Sequence, residues 1–415
     1  RDYYASRGLG DVYKRQSFYK IFEIPKKSGG TRKICAPTGD LKQIQEKLYS
    51  ILLHHQQFLR KQNNIRTNIS HAFEKGKSII TNGEVHRNKR IVVNIDLQDF
   101  FDSFHFGRVC GFFEKNRDFA LPHELAIVMA QLTCYQGKLP QGAPTSPIIT
   151  NYICQTFDMR IIRIAKKYHL DYTRYADDLS FSTNDKKFIE QWEPFYNELT
   201  HEVERAGFKV NTKKTSVQYR DSRQTVTGLV INKKLSVDHR YYKQVRAMAD
   251  SLYKTGCFDN NGVEGTVSQL EGKFAFIDQL DKYNNIKDVS QQHSVFCLNE
   301  REKQYQKFLF YRYFFAHEKP VIVTEGKTDI KYIKAALKNL YTEYPELIEK
   351  TPEGHFEFKV SFLKRSKRFK YFFHMSQDGA DAMKNLYNFF RTRIQSIQII
   401  SKFLADALIR TCVIL

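Results

Sequence analysis

Two short runs, residues 172–176 and 179–182, alternate apolar and polar positions with a period of two, which predicts a β-hairpin. Asp177 and Asp178 fall at its tip. Residues 91–97, Ile-Val-Val-Asn-Ile-Asp-Leu, read as a buried, β-branched strand that carries Asp96 at its end. Apolar residues at 41, 44, 48, 51 and 52 have helical spacing and predict a helix over residues 41–59. Residues 26–33, Lys-Lys-Ser-Gly-Gly-Thr-Arg-Lys, read as the glycine-containing turn of a cation-rich hairpin. From 233 to 315 the chain reads as helical and basic, with Asp238 as an N-cap before His239-Arg240-Tyr241-Tyr242-Lys243. Glu318-Lys319-Pro320 reads as a boundary, after which Val321-Ile322-Val323 opens a new α/β unit. No apolar run approaches the roughly 18–20 residues that span a bilayer, so no membrane partner is expected.

The acids change this picture. Adjacent carboxylates repel, and one at the end of a buried strand is costly unless something pairs with it. A polar turn explains Asp177-Asp178 taken alone, since turns favour Asp. Asp96 adds a third acid, and the three would form a cage for two divalent cations, which suit carboxylate oxygens and align a phosphoryl transfer.

The chain of 415 residues carries 66 Lys and Arg against 45 Asp and Glu, a formal net charge of +21. That excess favours a polyanionic partner. Its interleaving with 24 Tyr and 33 Phe fits a nucleic-acid groove, where cations hold phosphates and rings stack on bases. The 7 cysteines are scattered and none forms a Cys-x-x-Cys pair. This points to reduced thiols in the cytoplasm and away from a zinc site.

Tyr175-Ala176-Asp177-Asp178 resembles the catalytic box of reverse transcriptases. Residues 95–101 resemble the first-aspartate box of that family, and Leu139-Pro140-Gln141-Gly142-Ala143-Pro144-Thr145-Ser146-Pro147 its template and nucleotide box, in the family's order. The resemblance covers roughly residues 18–315. It implies an RNA-directed DNA polymerase using two Mg²⁺ ions, with Mn²⁺ as a substitute, held by Asp96, Asp177, Asp178 and the Leu97 carbonyl. It further implies that Arg32 clamps the incoming deoxynucleoside triphosphate and that Gln141 and Gly142 contact it. Phe101 would exclude a 2′-hydroxyl, with core packing as the competing reading because Phe100 is adjacent. Lys214 would protonate the leaving pyrophosphate, with Lys213 as rival.

Thr81-Asn82-Gly83-Glu84-Val85-His86 resembles the Asn-Ala-x-x-His box of retron reverse transcriptases, with Gly83 in place of alanine, and Val226-Thr227-Gly228 matches their Val-Thr-Gly box. The retron resemblance implies a structured non-coding RNA partner and a branched RNA-linked DNA product. Asn82, His86, Val226, Thr227 and Gly228 would belong to the RNA-binding apparatus. Arg240, Lys243 and Arg246 are candidates for RNA phosphates, 243 and 246 lying near one helical face. A group II intron-like or diversity-generating reverse transcriptase, or an idle RNA-binding protein of polymerase fold, are the alternatives.

Val321-Ile322-Val323-Thr324-Glu325-Gly326, with Thr328 as cap of a helix starting near Asp329, resembles the opening of a Toprim domain, in which Glu325 would be the catalytic acid. No Asp-x-Asp follows between 320 and 415; the cluster Ser376–Asp381 has the wrong spacing, and residues 411–415 read as a strand before missing acids. Some retrons fuse such an effector to the polymerase for anti-phage defence. The resulting expectation is an α+β chain: a right-hand polymerase (fingers, palm, thumb) followed by a partial α/β Toprim-like domain. Residues 17–232 would be fingers and palm, 233–317 a helical thumb, and 318–415 the incomplete Toprim-like part. Residues 1–16 read as a non-native leader, and residues 391–415 lose the character of the preceding chain.

Overall fold

The computed structural model describes residues 18–25, 29–62, 69–287, 297–316, 319–324, 326–363, 365–375, 383–389, 391 and 412–414. Two units are distinguished, Arg1–Leu235 and Ser236–Leu415. The first opens with strands β1 (Tyr19–Pro25) and β2 (Thr31–Pro37), antiparallel in a register running from Tyr19↔Pro37 to Pro25↔Thr31. Gly29 and Gly30 at its turn have φ of 88° and 77°, a left-handed backbone open to glycine. Helix α1 (Gly39–Gln62) is longer than its apolar spacing predicts, and its buried residues are Gln45, Leu52 and Gln56. Ile44 and Ile51, expected on the inner face, are 44% and 65% exposed. The inner face is instead anchored by polar groups, with Gln45 Nε2 donating to the Leu132 carbonyl at 2.8 Å and to the Tyr19 hydroxyl at 3.2 Å.

Next come α2 (Ile79–Val85), β3 (Ile91–Asp96), α3 (Phe106–Lys115), α4 (His123–Thr133), α5 (Ser146–Lys167), β4 (Asp171–Tyr175), β5 (Asp178–Thr183), α6 (Trp192–Arg205), β6 (Ser216–Tyr219), β7 (Thr225–Val226) and β8 (Leu229–Val230). Strands β4, β5, β3 and β6 form one antiparallel sheet in that order. Period-two alternation sorts its side chains onto two faces. Ile91, Val93, Ile95, Leu179, Phe181 and Tyr172 join Ile149, Phe157 and Ile161 of α5 and Phe195 and Leu199 of α6 in one apolar core. The opposite face carries Asn94, Asp96, Asp178, Ser180, Ser182 and Thr173, whose register brings Asn94 opposite Ser180 and Asp96 opposite Asp178. That face is polar yet largely buried, because α2 and the β7–β8 hairpin cover it.

The second unit begins with α7 (His239–Thr255), α8 (Val267–Lys287) and α9 (Glu300–Phe314). Asp238 caps α7 by accepting from the Arg240 N–H at 2.7 Å. Then follow β9 (Val321–Val323), α10 (Lys327–Asn339), β10 (Ile348–Lys350), β11 (Phe356–Phe358), β12 (Ser361–Phe362), α11 (Lys367–Phe372) and β13 (Cys412–Ile414). Strand β9 pairs in parallel with both β12 and β13. Thr328 is not the cap of α10. Gly326 holds that position, and its N–H donates to the Asp329 carboxylate at 2.7 Å. Glu325, residues 1–16 and residues 376–381 lie outside the described residues. No described helix is long and apolar enough to cross a membrane.

Helix α11 is built into the α8–α9 core. Phe369, Phe372 and Phe373 are fully buried, and rings of Tyr305 and Phe310 lie 5.6 Å and 6.3 Å from those of Phe372 and Phe373. Arg368 donates through Nε to Asp278 at 3.0 Å and through Nη2 to Glu302 at 3.1 Å. Both carboxylates are buried, so removing the guanidinium leaves two uncompensated acids. Arg368→Ala is therefore expected to destabilise the second unit by about 3 kcal/mol. Urea unfolding followed by circular dichroism would read this as a lowered midpoint.

Candidate active site

The hairpin predicted at residues 172–182 is present with a two-residue turn, since Tyr175 pairs with Asp178. Ala176 in that turn has φ of 57°, a conformation that costs a residue with a Cβ. Asp177 follows it, and Asp178 opens β5 directly opposite Asp96 at the end of β3. The Leu97 N–H donates to the Asp177 carbonyl at 2.9 Å, tying the turn to β3. Beyond β3 the chain pairs with residues 209–211: Gln98 donates to the Lys209 carbonyl and Asn211 to the Asp96 carbonyl, each at 2.8 Å.

Like charges directly opposite on neighbouring strands destabilise a sheet, and here the conflict shows in the proton affinities. Burial, then Asp177 and Asp96, push the Asp178 carboxyl up to about 7. Burial foremost, with Asp96 contributing, also raises Asp177. Two groups answer Asp96: Lys214 Nζ lies 3.0 Å from Oδ2, and Asn211 Nδ2 donates to Oδ1 at 3.0 Å. The bond to Asp96 in turn raises Lys214. Three neighbouring carboxylates, of which only Asp96 is bonded directly by Lys214 among the described residues, form an oxygen donor set that fits hard divalent cations. Asn211 was not singled out from sequence; its signal is its place three residues before Lys214.

A cavity of about 1290 Å³ opens onto this corner and is lined by Asp96, Asp177, Leu97, Arg32, Gln141, Phe101, Lys213 and Lys214, among others. Arg32 of β2 is exposed, and its charge lowers Asp177. Phe100 and Phe101 both pack in or against the apolar core but differ in burial. Phe100 is 4% exposed and stacks on Phe208 with centroids 5.6 Å apart, whereas Phe101 is half-buried at the cavity wall. Gly142 makes a close approach within the protein itself. Its φ is 111° and an added Cβ would lie 2.7 Å from Ile34 Cγ2 and 3.2 Å from the Cys35 carbonyl. The close approach it permits is to β2, reinforced by the Cys35 N–H donating to the Gln141 carbonyl at 2.8 Å.

The structure also corrects the reading of Asn82 and His86 as RNA contacts. Both are 0% exposed, so neither side chain presents a surface to RNA. His86 Nε2 lies 2.7 Å from Thr173 Oγ1 and Nδ1 lies 2.8 Å from Ser182 Oγ. The Thr173 hydroxyl donates to Asn82 Oδ1 at 2.6 Å, which leaves it only an acceptor role toward Nε2–H and makes Nδ1 the acceptor of the Ser182 proton. Burial, then His71 and Lys89, hold His86 down to about 3. Gly83 is also explained: an alanine Cβ would sit 3.2 Å from Leu235 Cδ2 and 3.3 Å from Ile231 Cγ2. Val226 is 1% exposed, so it too is a core residue, while Thr227 and Gly228 form the β7–β8 turn with φ of 46° and 79°. Asn94 ties the polar face to the β7–β8 hairpin, accepting from Ser180 Oγ at 3.1 Å and donating to the Thr225 carbonyl at 2.7 Å.

In the second unit Arg240, Lys243 and Arg246 are exposed on α7, and Arg246 lies 5.8 Å from the Tyr242 ring. Elsewhere in the first unit, Cys110, Glu114 and His123 bring ligand atoms within 4.8 Å of one another, a grouping that no Cys-x-x-Cys spacing announces.

The sheet, the paired acids and the cation-walled cavity are those of a nucleotide-polymerising palm, and residues 24–238 match the family model "Reverse transcriptase (RNA-dependent DNA polymerase)". The chain belongs to the reverse transcriptases, RNA-directed DNA polymerases that use divalent metal ions. Within them it is of the retron type. It is 30% identical to the retron Ec86 reverse transcriptase of Escherichia coli over 71% of this chain and 85% of that one. The retron Mx65 enzyme of Myxococcus xanthus is 31% identical over 65% of this chain and 62% of its own length. The retron Mx162 enzyme of the same organism is 33% identical over 63% and 58%. The chain thus spans less than two thirds of the length of both Myxococcus relatives.

The buried histidines make stability depend on pH. An unfolded histidine takes a proton near pH 6.5, whereas folded His86 resists until about 3, and burial holds His71 down to about 4. Their contribution is present above about pH 6.5 and is lost as pH falls toward those values. His86→Gln is expected to lower the melting temperature at neutral pH and to flatten the acid limb by about 1 kcal/mol per pH unit. Thermal melts between pH 4 and 8 would show both effects.

Proposed function

We propose that this chain copies a structured non-coding RNA into single-stranded DNA that remains joined to the RNA through a 2′-branch. The observation carrying this is the pairing of Asp96 with Asp178 across β3–β5, with Asp177 in the adjoining turn, beside a cavity walled by Arg32 and Lys214. Two Mg²⁺ ions, replaceable by Mn²⁺, would be held by Asp96, Asp177, Asp178 and the Leu97 carbonyl, and supply activation of the primer hydroxyl and neutralisation of the triphosphate. The protein's own part is positioning and charge. The Arg32 guanidinium grips the triphosphate as a two-pronged donor. Gln141 fixes the nucleotide from the cavity wall, and Phe101 occupies the space a ribose 2′-hydroxyl would need. Lys214, already protonated beside Asp96, delivers a proton to departing pyrophosphate. Asn82 and His86 act beneath the sheet, holding the strands that carry the acids, while Thr227 and Gly228 form the β7–β8 turn. Arg240, Lys243 and Arg246 hold RNA phosphates.

The setting is the cytoplasm, and the role is anti-phage defence. The C-terminal residues are read as the opening of a Toprim-type effector, supported by the order strand β9, Glu325-Gly326, helix α10. The protein carrying Glu325→Ala should lose effector toxicity; unchanged toxicity removes Glu325 from that role.

Primer extension with Mg²⁺ on an RNA template tests the polymerase. Asp177→Asn should lower incorporation by about a thousandfold, the loss of several kcal/mol of transition-state stabilisation; equal incorporation by both proteins would end the metal proposal, and no incorporation by wild type would leave an idle RNA-binding protein. Phe101→Ala should raise ribonucleotide use roughly tenfold relative to deoxynucleotide use, as when one steric contact is removed, measured by paired kcat/KM values. Sequencing DNA that co-purifies with the protein separates the retron reading from group II intron-like or diversity-generating relatives, because only the first yields a 2′-branch.

A further inference from the structure

Arg174 lies in the catalytic hairpin itself, two residues before Ala176, yet it is 0% exposed. A fully buried guanidinium is costly unless every prong is answered. Nε donates to Asp158 Oδ1 and Nη2 to Asp158 Oδ2, each at 2.8 Å, a two-pronged pair across to α5. Nη2 also reaches Asn151 Oδ1 at 3.3 Å. The remaining prong, Nη1, donates to the carbonyl of Ala176 at 3.2 Å.

We propose that Arg174 is a positioning residue for the metal-binding acids: it holds the Ala176 carbonyl and so fixes the left-handed turn from which Asp177 and Asp178 project. This rests on the polymerase reading of that site and adds a residue to it. Two observations support a geometric rather than an electrostatic role. Asp158 already matches the Arg174 charge. The backbone of Arg174 is itself clamped, its N–H donating to the Ile69 carbonyl at 3.1 Å and its carbonyl accepting from the His71 N–H at 2.8 Å.

The support extends away from the turn. Asn151 accepts from Ser70 Oγ at 2.9 Å and donates to the Ala72 carbonyl at 3.0 Å and to Glu74 at 3.3 Å. Glu74 is gripped through both oxygens by Arg60 of α1, at 2.9 Å and 2.8 Å. A planar fork is required at 174, because a lysine can neutralise Asp158 but cannot simultaneously reach Asn151 and Ala176.

The test compares Arg174→Lys with Tyr172→Phe. The latter removes a 3.0 Å bond to the same Asp158 without touching the turn. Mn²⁺ binding by electron paramagnetic resonance and the Mg²⁺ dependence of primer extension are measured on both, with thermal melts as the control for folding. Arg174→Lys should weaken Mn²⁺ binding roughly tenfold or more, as loss of a residue supporting metal ligands does, and shift the Mg²⁺ midpoint upward, while Tyr172→Phe lowers only the melting temperature. Should Arg174→Lys fail to fold, Asn151→Ala, which frees Nη2 of the same guanidinium and so loosens the aim of Nη1 at Ala176, should weaken Mn²⁺ binding in the same direction. Wild-type Mn²⁺ affinity in a folded Arg174→Lys, or in Asn151→Ala, overturns the proposal. If wild type binds Mn²⁺ but extends no primer, the polymerase reading fails while the Mn²⁺ comparison still decides the role of Arg174.

Discussion

Repulsion among three neighbouring carboxylates is the constraint on which the first unit is built. Asp96, Asp177 and Asp178 would relax apart if their backbones were free, and burial raises the cost of each charge. The strand ladder removes that freedom for Asp96 and Asp178, and the bond from Leu97 to the Asp177 carbonyl removes it for the third. Lys214 and Asn211 then bond directly to Asp96, and the Lys214 charge also partly offsets Asp177 and Asp178.

Because side chains alternate along a strand, placing Asp96 and Asp178 on one face commits Asn94, Ser180 and Ser182 to that face as well. A sheet with one polar face ordinarily turns it to water. Here it is covered, so each hydroxyl and amide needs a partner from the cover. His86 and Asn82 meet that need from α2, and the Thr225 carbonyl meets it from the β7–β8 hairpin. The two sequence boxes that distinguish the retron resemblance thus meet in one layer, α2 packed on the β7–β8 hairpin over the polar face of the sheet.

Much of this was legible in the sequence where a local pattern decides the outcome. The hairpin at 172–182, the strand ending at Asp96, the Asp238 cap and strand β9 all follow from periodicity or from a single capping side chain. What was not legible depends on which neighbour arrives from far along the chain. Ile44 and Ile51 have helical spacing, but nothing local says that Gln45 will find the Leu132 carbonyl and turn the other face inward. A histidine in a short box looks like a ligand-contacting group until Thr173 and Ser182, about 90 residues away, enclose it. Gly142 sits in a nucleotide-binding box, yet the contact that requires glycine is with Ile34.

The packing of α11 carries a consequence for where this protein can be divided. Motifs place a border near residue 318, between polymerase and appendage, but Phe369, Phe372 and Phe373 fill space among the helices that precede that border. A chain severed there would keep every residue assigned to DNA synthesis and still be left with a hollow lined by aromatic rings. Residues beyond the border are in this sense part of the helical unit that precedes them, and could be exchanged only while retaining the short helix that plugs the gap.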